Sequence, residues 1–327
     1  MNRGPLRLFA LSESRTLGEN IARALGSDLS LVEEKDFDDG EHKAYPAENV
    51  RDSDVFVVQS LYDEPGKTVN DKLCRLWFFV GALKDASAAS VTAVVPYLAY
   101  ARADRKTRPR EPVTLRYVAQ LFEAAGADRV ITLDVHDLAG FQNAFRCRTD
   151  HLEAGKLLIE HFAAKLHGDV AVVSPDAGGL KRAESFRRKL SRRLGATVGS
   201  ALMEKYRSDD TVRGAILAGN VRGKTALIVD DMISTGGTVA RAAQVCREQG
   251  ALAVHVASTH GLFVGEAASV VADPVLDSLA VTDSVPLFRL PPETAQGKLT
   301  VIPIAPLFAE AVRQIHAGGS VSALMED

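Results

Sequence analysis

The stretch that most constrains the fold runs from Thr225 to Thr238 and reads TALIVDDMISTGGT. Its apolar residues 226–229 predict a buried strand of a parallel sheet, because such strands are continuous hydrophobic runs. Two carboxylates, Asp230 and Asp231, follow at the predicted strand end, and a turn of hydroxyl residues and glycines leads into a helix. This order of strand, glycine turn and helix indicates an α/β fold.

The turn has the composition of a phosphate-binding nest. Gly236 and Gly237 permit backbone conformations closed to other residues, so successive N–H groups can converge on an anion at the helix N-terminus. Ser234, Thr235 and Thr238 add hydroxyl donors. The preceding carboxylates would repel a phosphate, and we expect them to face sugar hydroxyls or a metal ion. The combination predicts a sugar-phosphate site rather than an ordinary strand–turn–helix corner.

The composition is that of a globular chain and excludes several classes of function. The 327 residues suffice for two domains of ordinary size. A net charge of −3 gives no support to a nucleic-acid partner held by bulk electrostatics. The three cysteines are far apart and show no metal-ligand spacing, which favours a reducing, cytoplasmic location. We find no signal-peptide pattern and no apolar run of membrane-spanning length, so we expect no membrane partner.

Apolar runs and helical periodicity predict alternating strands and helices along the chain. The predicted strands are 6–11, 54–59, 91–97, 129–136, 170–173, 226–229, 253–259, 275–281 and 298–304. The predicted helices are 17–25, 71–83, 114–125, 152–166, 181–193 and 306–316, of which 181–193 has a basic, solvated face. The polar segment 199–223, which contains Lys205 and Arg207, is predicted to be a mobile loop.

Two parts of the chain repeat one order of elements. The dipeptide Gly-Ala at 126–127 precedes a predicted strand that ends at His136, and the same dipeptide at 250–251 precedes one that ends at His260. We therefore predict two similar α/β halves that arose by duplication. The predicted boundaries are 1–150 together with 305–327 for the first half, and 151–304 for the second.

Polar residues follow several other predicted strands. A basic loop at 102–110 follows the strand 91–97, the edge where open α/β sheets bind ligands, so a ligand role competes evenly with a solvated charge run. His136 ends its strand beside Asp134, where a ligand role competes with the usual structural role of a single histidine. The turn at 174–179 contains Asp176 and two glycines. The acidic segment 35–41 reads locally as a surface turn.

Together these motifs resemble those of the ribose-phosphate pyrophosphokinase (PRPP synthetase) family, and the resemblance covers nearly the whole chain. The matching motifs are FDDGE at 37–41, VPY at 95–97 with YARADRK at 100–106, DVH at 134–136, SPDAGG at 174–179, KYR at 205–207 and the stretch 225–238. The resemblance implies two similar phosphoribosyltransferase type I-like domains, each a mainly parallel sheet flanked by helices. Type I phosphoribosyltransferases share only the last motif and half of this architecture.

The resemblance also implies transfer of the β,γ-diphosphoryl group of ATP to the C1 hydroxyl of ribose 5-phosphate, giving PRPP and AMP, with Mg²⁺ as cofactor and a homo-oligomeric enzyme. The first half would carry the ATP side and the second the sugar side. The implied ATP-binding residues are Phe37, Asp39, Gly40 and Glu41, contributed to a neighbouring subunit, and Arg102, Ala103 and Asp104. The implied metal residues are His136 and Asp176, and the implied catalytic residues are Lys205 and Arg207. The implied ribose-5-phosphate residues are Arg207, Asp230, Asp231, Ser234, Thr235, Gly236, Gly237 and Thr238.

Two departures from the family pattern concern the substrates. Ala103 stands where the family usually has Gln, and Ser234 stands where many members have Asp. Two alternatives therefore stay open at this point. One is a phosphoribosyltransferase that consumes PRPP, and the other is a catalytically weak or silent regulatory paralogue.

Overall fold

The computed structural model describes residues 4–208, 211–295 and 297–325, and it describes the backbone alone at 205–208, 211–215 and 295. The strands are β1 (Leu6–Ala10), β2 (Val32–Asp36), β3 (His42–Pro46), β4 (Asp54–Val58), β5 (Ser90–Val95), β6 (Arg129–Leu133), β7 (Arg148–Leu152), β8 (Val170–Ser174), β9 (Gly199–Ser208), β10 (Thr211–Gly219), β11 (Thr225–Ile233), β12 (Ala253–Gly261), β13 (Ser278–Thr282) and β14 (Leu299–Ile302).

The helices begin and end close to capping signals in the sequence. They are α1 (Arg15–Leu25), α2 (Val69–Asp85), α3 (Thr114–Ala124), α4 (Leu138–Ala144), α5 (Gly155–Ala163), α6 (Leu180–Leu194), α7 (Gly237–Glu248), α8 (Ala267–Ala272), α9 (Pro292–Ala295) and α10 (Ala305–Ala317). Helix α2 begins with a capping box, in which Thr68 and Asp71 each accept a bond from the other's backbone N–H. Helix α1 ends at Gly26, which has a φ of 77°.

The chain divides into two compact units, of which the first comprises Met1–Glu153 and Ile304–Glu326. Its sheet has the order β1-β4-β5-β6-β7, and every neighbouring pair is parallel. Strands β2 and β3 form a separate antiparallel hairpin. Helix α10 belongs to this unit, since His316 Nδ1 lies 2.9 Å from a carboxylate oxygen of buried Asp54.

The second unit comprises Ala154–Pro303. Its sheet has the order β10-β9-β8-β11-β12-β13-β14, parallel throughout except for the antiparallel pair β9 and β10. The central strand β11 is buried at 226–229, with exposed fractions of 2% or less. Strand β8 lies between β9 and β11 in this sheet. The chain passes from β8 to β9 on one side, and from β11 to β12 on the other. The point where the strand order reverses therefore lies between β8 and β11.

Several element predictions are confirmed, including the amphipathic basic helix, which is α6 and buries Ala183, Phe186 and Leu190. The predicted loop 199–223 is wrong, because strands β9 and β10 occupy most of it. Ala201 and Met203 are buried two positions apart, the alternation of a strand with one solvated face.

Three other boundaries differ from the sequence prediction. The predicted helix 152–166 is shorter, since Leu152 ends β7 and α5 begins at Gly155. Strand β11 extends to Ile233, so the two carboxylates lie inside the strand and not after it. The predicted strand 129–136 stops at Leu133, and Asp134 has a φ of 38°. Among the described residues, none of the helices is both long and apolar enough to cross a membrane.

Candidate functional site

The second unit gathers its predicted site residues at the reversal point between β8 and β11. The pairing of β11 with β8 ends at Ile228, which faces Val173, whereas its pairing with β12 continues to Ile233. Strand β11 therefore extends beyond its neighbour on one side. Asp230 and Asp231 lie on this extension, next to the turn that follows β8.

The two carboxylates are held close to each other with little solvent. Asp231 has an exposed fraction of 4%, and its backbone N–H donates a 2.9 Å bond to Oδ1 of Asp230. Burial raises the pKa of Asp230 to about 8, the charge of Asp231 adds to the rise, and Arg182 opposes it. A site that resists a second negative charge favours ligands that bring hydroxyl donors or a cation.

Arg182 connects the acid pair to the turn after β8. Its Nη1 lies 3.6 Å from Asp230 and 3.4 Å from Asp231. Arg182 is not among the predicted site residues, because its position in the sequence places it with the basic, solvated face of the helix 181–193. Its place in the first turn of the helix that follows the Asp176 loop was the available signal.

The turn 174–179 is organised by its own side chains. Ser174 is buried and donates its hydroxyl to the carbonyl of Asp176 at 2.7 Å. Oδ1 of Asp176 accepts the backbone N–H of Gly179 at 3.0 Å. The bond to Gly179 engages one carboxylate oxygen of this half-buried residue, so Asp176 has a fixed orientation at the carboxyl end of β8.

The turn after β11 has the geometry expected of an anion-binding nest. Gly236 is buried, has a φ of 80° and caps α7, whose first described backbone bond runs from Ala240 N–H to Gly236 C=O. The N–H groups of the first helical turn precede that bond and have no partner within the helix. The carbonyl of Ser234 accepts the N–H of Val264 at 3.0 Å, which fastens the turn to the end of β12.

A side chain at position 236 would crowd the turn as well as strain it. An added Cβ would lie 3.1 Å from the side chain of Val270 on α8. Thr235 is exposed, whereas Ser234 and Thr238 are half-buried. Helix α8 therefore packs against Gly236 on the buried side of the turn, whereas Thr235 lies on its exposed side. The N-terminus of α7 attracts negative charge to this turn.

The carboxylate donors of the second unit fit a hard divalent cation. Within the described part of the chain, no group of three or more His, Cys, Asp or Glu side chains could hold a metal ion. Asp176 and the acid pair supply the carboxylate oxygens that Mg²⁺ prefers. Mg²⁺ commonly binds through one or two carboxylates together with water and substrate phosphates, so this donor set fits it.

In the first unit, the basic loop follows β5 and runs over the surface. Arg102 is exposed, and Ala103 and Asp104 are half-buried. The N–H of Ala103 donates to the carbonyl of Tyr100 at 3.0 Å, and the carbonyl of Ala103 accepts the N–H of Leu115 at 3.2 Å. These bonds fix Ala103 between the loop and the start of α3.

The loop also packs against the N-terminus of α4. Asp137 caps this helix by accepting the N–H of Gly140 at 2.6 Å. A Cβ at Gly140 would lie 2.8 Å from the Cβ of Asp104, so the two segments approach each other closely. His136 immediately precedes the cap and is exposed. Arg102, Asp104 and His136 therefore come from neighbouring loops at one edge of this sheet.

The segment 37–41 forms the tip of the hairpin β2–β3. The N–H of Phe37 donates to the carbonyl of Glu41 at 2.8 Å, and the N–H of Gly40 donates to the carbonyl of Phe37 at 3.0 Å. Oδ1 of Asp39 accepts the N–H of Glu41 at 3.2 Å, and Gly40 has a φ of 90°. All five residues are exposed, so the tip is available to a partner.

Positions 205 and 207 lie in β9, whose backbone pairs them with Ala215 and Val212 of β10. The side chains of Lys205 and Arg207 lie outside the described residues. The roles inferred for them stay predictions.

Two family models match the chain. Residues 6–126 match the model of the N-terminal domain of ribose phosphate pyrophosphokinase. Residues 211–326 match the model of the phosphoribosyl synthetase-associated domain. The two matches fall on the two halves of the chain.

Full-length relatives agree with the family models. A ribose-phosphate pyrophosphokinase of Listeria innocua is 40% identical, covering 98% of this chain and 97% of the relative. One from Caldanaerobacter subterraneus is also 40% identical, with the same coverage of both chains. A crystal structure of phosphoribosylpyrophosphate synthetase from Mycobacterium smegmatis matches with a TM-score of 0.84 at 35% identity, over 96% of this chain and 100% of that one.

Proposed function

Because the chain belongs to the ribose-phosphate pyrophosphokinase family, we propose that its site residues transfer the β,γ-diphosphoryl group of ATP to the C1 hydroxyl of ribose 5-phosphate. The chain is an enzyme of diphosphate transfer, and its products are PRPP and AMP. The observation that supports the assignment of residues is the acid pair, which lies beside the glycine turn and the N-terminus of α7, at the strand-order reversal of the second unit.

The sugar phosphate binds to the second unit in this proposal. The N–H groups at the start of α7, with the hydroxyls of Ser234, Thr235 and Thr238, hold the 5-phosphate. Asp230 and Asp231 accept hydrogen bonds from ribose hydroxyls, which suits a pair in which burial and the charge of Asp231 raise the pKa of Asp230. Gly236 and Gly237 let the backbone approach the phosphate. Ser234 keeps a donor without adding negative charge.

The cofactor in this proposal is Mg²⁺, which supplies neutralisation of the phosphate charges when bound. Asp176 serves it directly or through water, and His136 ligates or orients the metal-bound nucleotide. Asp176 is held for this task by the N–H of Gly179.

ATP binds to the first unit, where Arg102, Ala103 and Asp104 contact it. The exposed tip Phe37–Glu41 completes the nucleotide site of a neighbouring copy, so the active enzyme is a homo-oligomer. A hairpin tip whose five residues are all exposed is well suited to such a role. The free thiols of the three cysteines support a cytoplasmic location.

The reaction requires the C1 hydroxyl oxygen to attack the β-phosphorus of ATP, with AMP as the leaving group. Negative charge is spread over the oxygens of the diphosphoryl group as it passes from AMP to the C1 oxygen. Catalysis is therefore mainly positioning and electrostatic stabilisation. Lys205 and Arg207 provide positive charge at that moment. Arg207 also contacts the sugar phosphate in this proposal.

The two alternatives are not favoured. A phosphoribosyltransferase shares only one motif with this chain, whereas the relatives named above match over nearly its whole length. A silent paralogue would have lost His136, Asp176 or the Lys-x-Arg motif at 205–207, and all of them are present.

The test is the appearance of AMP from ATP that depends on both ribose 5-phosphate and Mg²⁺. We expect no AMP when either is omitted, and PRPP in equal amount to AMP. Formation of ADP in place of AMP, or AMP formation without the sugar, would refute the proposed reaction. A Lys205→Ala enzyme prepared in parallel excludes activity from a contaminant.

A further inference from the structure

The hairpin β2–β3 is joined to α2 by one buried arginine. Nη1 of Arg75 lies 3.2 Å from Oε2 of Glu34, and Nη2 donates to Oδ1 of Asp36. The Arg75 side chain has an exposed fraction of only 4%, and that of Glu34 is 10%. Glu34 and Asp36 are two residues apart on β2, so they share a face of the hairpin. The planar guanidinium therefore bridges two points of the same strand.

Each of these carboxylates has a second anchor. Oε1 of Glu34 accepts the backbone N–H and the hydroxyl of Ser12, at 2.8 and 2.7 Å. Oδ2 of Asp36 accepts Nζ of Lys67 at 2.6 Å. The hydrogen bond from Lys67, followed by that from Arg75, lowers the pKa of Asp36 to about 2. The row from Ser12 to Lys67 alternates donors and acceptors with Arg75 at its centre.

The same helix also contacts the other strand of the hairpin. The rings of His42 on β3 and Phe78 on α2 stack with centroids 5.5 Å apart and an interplanar angle of 24°. Phe78 lies three residues after Arg75, so both contacts come from neighbouring positions on the helix surface. Helix α2 therefore holds β2 by charge and β3 by stacking.

The helix is itself firmly held at this end. Lys72, one turn before Arg75, is fully buried, with its Nζ 2.8 Å from Oε1 of Glu64 and 3.3 Å from the centre of the Tyr62 ring. Burial lowers the pKa of the Lys72 amine, although Glu64 opposes the change. Lys72 and the capping box at Thr68 give Arg75 a rigid base.

The hairpin needs such support to keep one orientation. It is a separate two-stranded sheet, and isolated two-stranded hairpins are marginally stable in water. Its tip begins at Phe37, immediately after Asp36. The hydrogen bond from the Arg75 guanidinium to Asp36 therefore lies one residue before the tip. A tilt of the hairpin on α2 would therefore move the whole segment Phe37–Glu41.

We propose that Arg75 is a positioning residue for ATP: it fixes the hairpin so that Phe37–Glu41 reaches the nucleotide site of a second copy of the chain. This inference rests on the proposed function, and specifically on the role given there to the hairpin tip. Arg75 itself contacts no substrate in this account. Its effect is transmitted through Glu34 and Asp36 to another subunit's site.

The expected effect of each replacement follows from the ion pairs of Arg75 with Glu34 and Asp36. Arg75→Met keeps the volume but leaves the buried carboxylate of Glu34 without a cation, which is costly for a buried charge. The side chain of Asp36 is 56% exposed and keeps its bond to Lys67, so the cost arises mainly at Glu34. Arg75→Lys keeps the charge but cannot span both carboxylates, because an ammonium is a point charge and not a planar fork. Lys67→Met removes only the outer anchor of Asp36, and its effect should be the smallest of the three.

Steady-state kinetics of these variants is the first test. We expect Arg75→Met to raise KM for ATP by about 10- to 100-fold, the range for loss of hydrogen bonds to a charged group. KM for ribose 5-phosphate and kcat at saturating ATP should remain within about twofold of the values for the unmodified enzyme. The reason is that saturating ATP compensates for the lower ATP affinity of a displaced hairpin. Arg75→Lys should restore part of the ATP affinity. Phe37→Ala, which alters the tip and leaves the anchor intact, should give the same pattern.

Lys84→Met is the matched control. Lys84 also lies on α2 and forms an ion pair, at 3.0 Å, with Asp128, on a part of the helix away from the hairpin. If its loss raises KM for ATP as much as the loss of Arg75, the effect comes from the helix and the proposal is wrong. Hydrogen exchange provides a second readout, because faster exchange in Arg75→Met should be confined to 32–46.

A mixed enzyme tests whether Arg75 acts across subunits. Arg75→Met and Lys205→Ala chains are co-expressed with different affinity tags, and assemblies that contain both are purified. In them, an intact hairpin from a Lys205→Ala chain can serve the nucleotide site of an Arg75→Met chain, which retains its lysine. We expect these sites to show the KM for ATP of the unmodified enzyme.

The outcomes separate this inference from the proposed function. If the unmodified protein forms no AMP from ATP and ribose 5-phosphate, the proposed function itself fails. If that protein is active but mixed assemblies keep the high KM of Arg75→Met, Arg75 does not act in another subunit. An equal rise of both KM values would likewise overturn the inference. If Arg75→Met does not fold, Arg75→Lys and Lys67→Met provide the same comparison.

Discussion

Asp231 donates its backbone N–H to Oδ1 of Asp230 at 2.9 Å, and this bond joins two acids that burial and mutual repulsion make reluctant to ionise together. The arrangement lowers the stability of the unliganded protein at neutral pH, because one carboxylate must either retain a proton or bear the cost of charge. Ligands with hydroxyl donors or a cation relieve that cost. We therefore expect the burial of this acid pair to favour binding of such ligands.

The first prediction is that Asp230→Asn stabilises the unliganded protein while abolishing sugar-phosphate binding. The pKa of Asp230 is raised by folding, so its contribution to the free energy of unfolding is present below pH about 4 and is lost as pH rises towards about 8. Asparagine does not ionise. We therefore expect the Tm difference between variant and unmodified protein to grow from pH 5 to pH 8, measured by calorimetry.

Glu248→Gln is the control for this experiment. Glu248 is exposed on α7 and accepts only the side-chain amide of Gln244 at 2.9 Å among its described bonds, a bond that glutamine can keep. Because Glu248 lies on the exposed surface of α7, we expect its Tm difference to change less with pH than that of Asp230→Asn. A constant or shrinking difference for Asp230→Asn would show that the pKa of this carboxyl is not raised.

The second prediction concerns the phosphate nest. Gly236→Ala should weaken ribose 5-phosphate binding by at least about tenfold, because alanine is strained at a φ of 80° and its Cβ would press on Val270. ATP binding to the other unit should be unaffected. Isothermal titration with each ligand separately measures both effects.

Gly195→Ala separates local strain from loss of the nest. Gly195 ends α6 with a φ of 63° and has open space around it, so alanine there meets the same backbone penalty without a clash. It should lower the stability by about 1 kcal/mol and leave both affinities unchanged. Equal loss of sugar-phosphate affinity in the two variants would mean that position 236 has no special role.

The third prediction concerns Lys205 in strand β9. Lys205→Ala should lower kcat by about 10²–10⁴-fold and change ATP binding only modestly, as expected for a charge used mainly in the transition state. Arg207→Ala should act in the same direction, and the double variant should lose less than the product of the two single effects. Steady-state kinetics and direct ATP binding decide this.

Lys298→Ala provides the comparison for the loss of a lysine in the same unit. Lys298 is half-buried and donates to the carbonyls of Ala272 and Asp273, away from the reversal point between β8 and β11. Its replacement should leave kcat unchanged. If Lys205→Ala raises only the dissociation constant of ATP, Lys205 holds substrate and is not catalytic.

The elements that sequence predicted well are those whose pattern is local. Leu73, Leu76 and Val80 are buried on α2 at the helical spacing seen in the sequence. Strand β9 was missed because its alternation is short and half of its residues are polar, a pattern shared by exposed loops. The hairpin β2–β3 was also missed, because contacts that hold it come from residues distant in sequence, such as Arg75 and Phe78 on α2.

The composition of the site was easier to predict than its geometry. The residue types and their order at 230–238 are sufficient to predict a phosphate nest, and that assignment stays a prediction. Strand β11 extends three residues past Asp230 only because β12 continues beside it, a fact of sheet register that no local pattern contains. Arg182 lies near both acids because its helix, α6, follows β8, and β8 pairs with β11 in the sheet. No local pattern contains this pairing either.

The measurement that tests the central claim most directly follows the phosphorus atoms of ATP. Purified protein is incubated with Mg²⁺, ribose 5-phosphate and ATP labelled with ³²P at the γ-position, and the products are separated. We predict that all transferred label appears in a sugar diphosphate, with unlabelled AMP formed in equal amount. Label recovered as a sugar carrying a single transferred phosphate, together with ADP, would contradict diphosphoryl transfer and with it the account of the site.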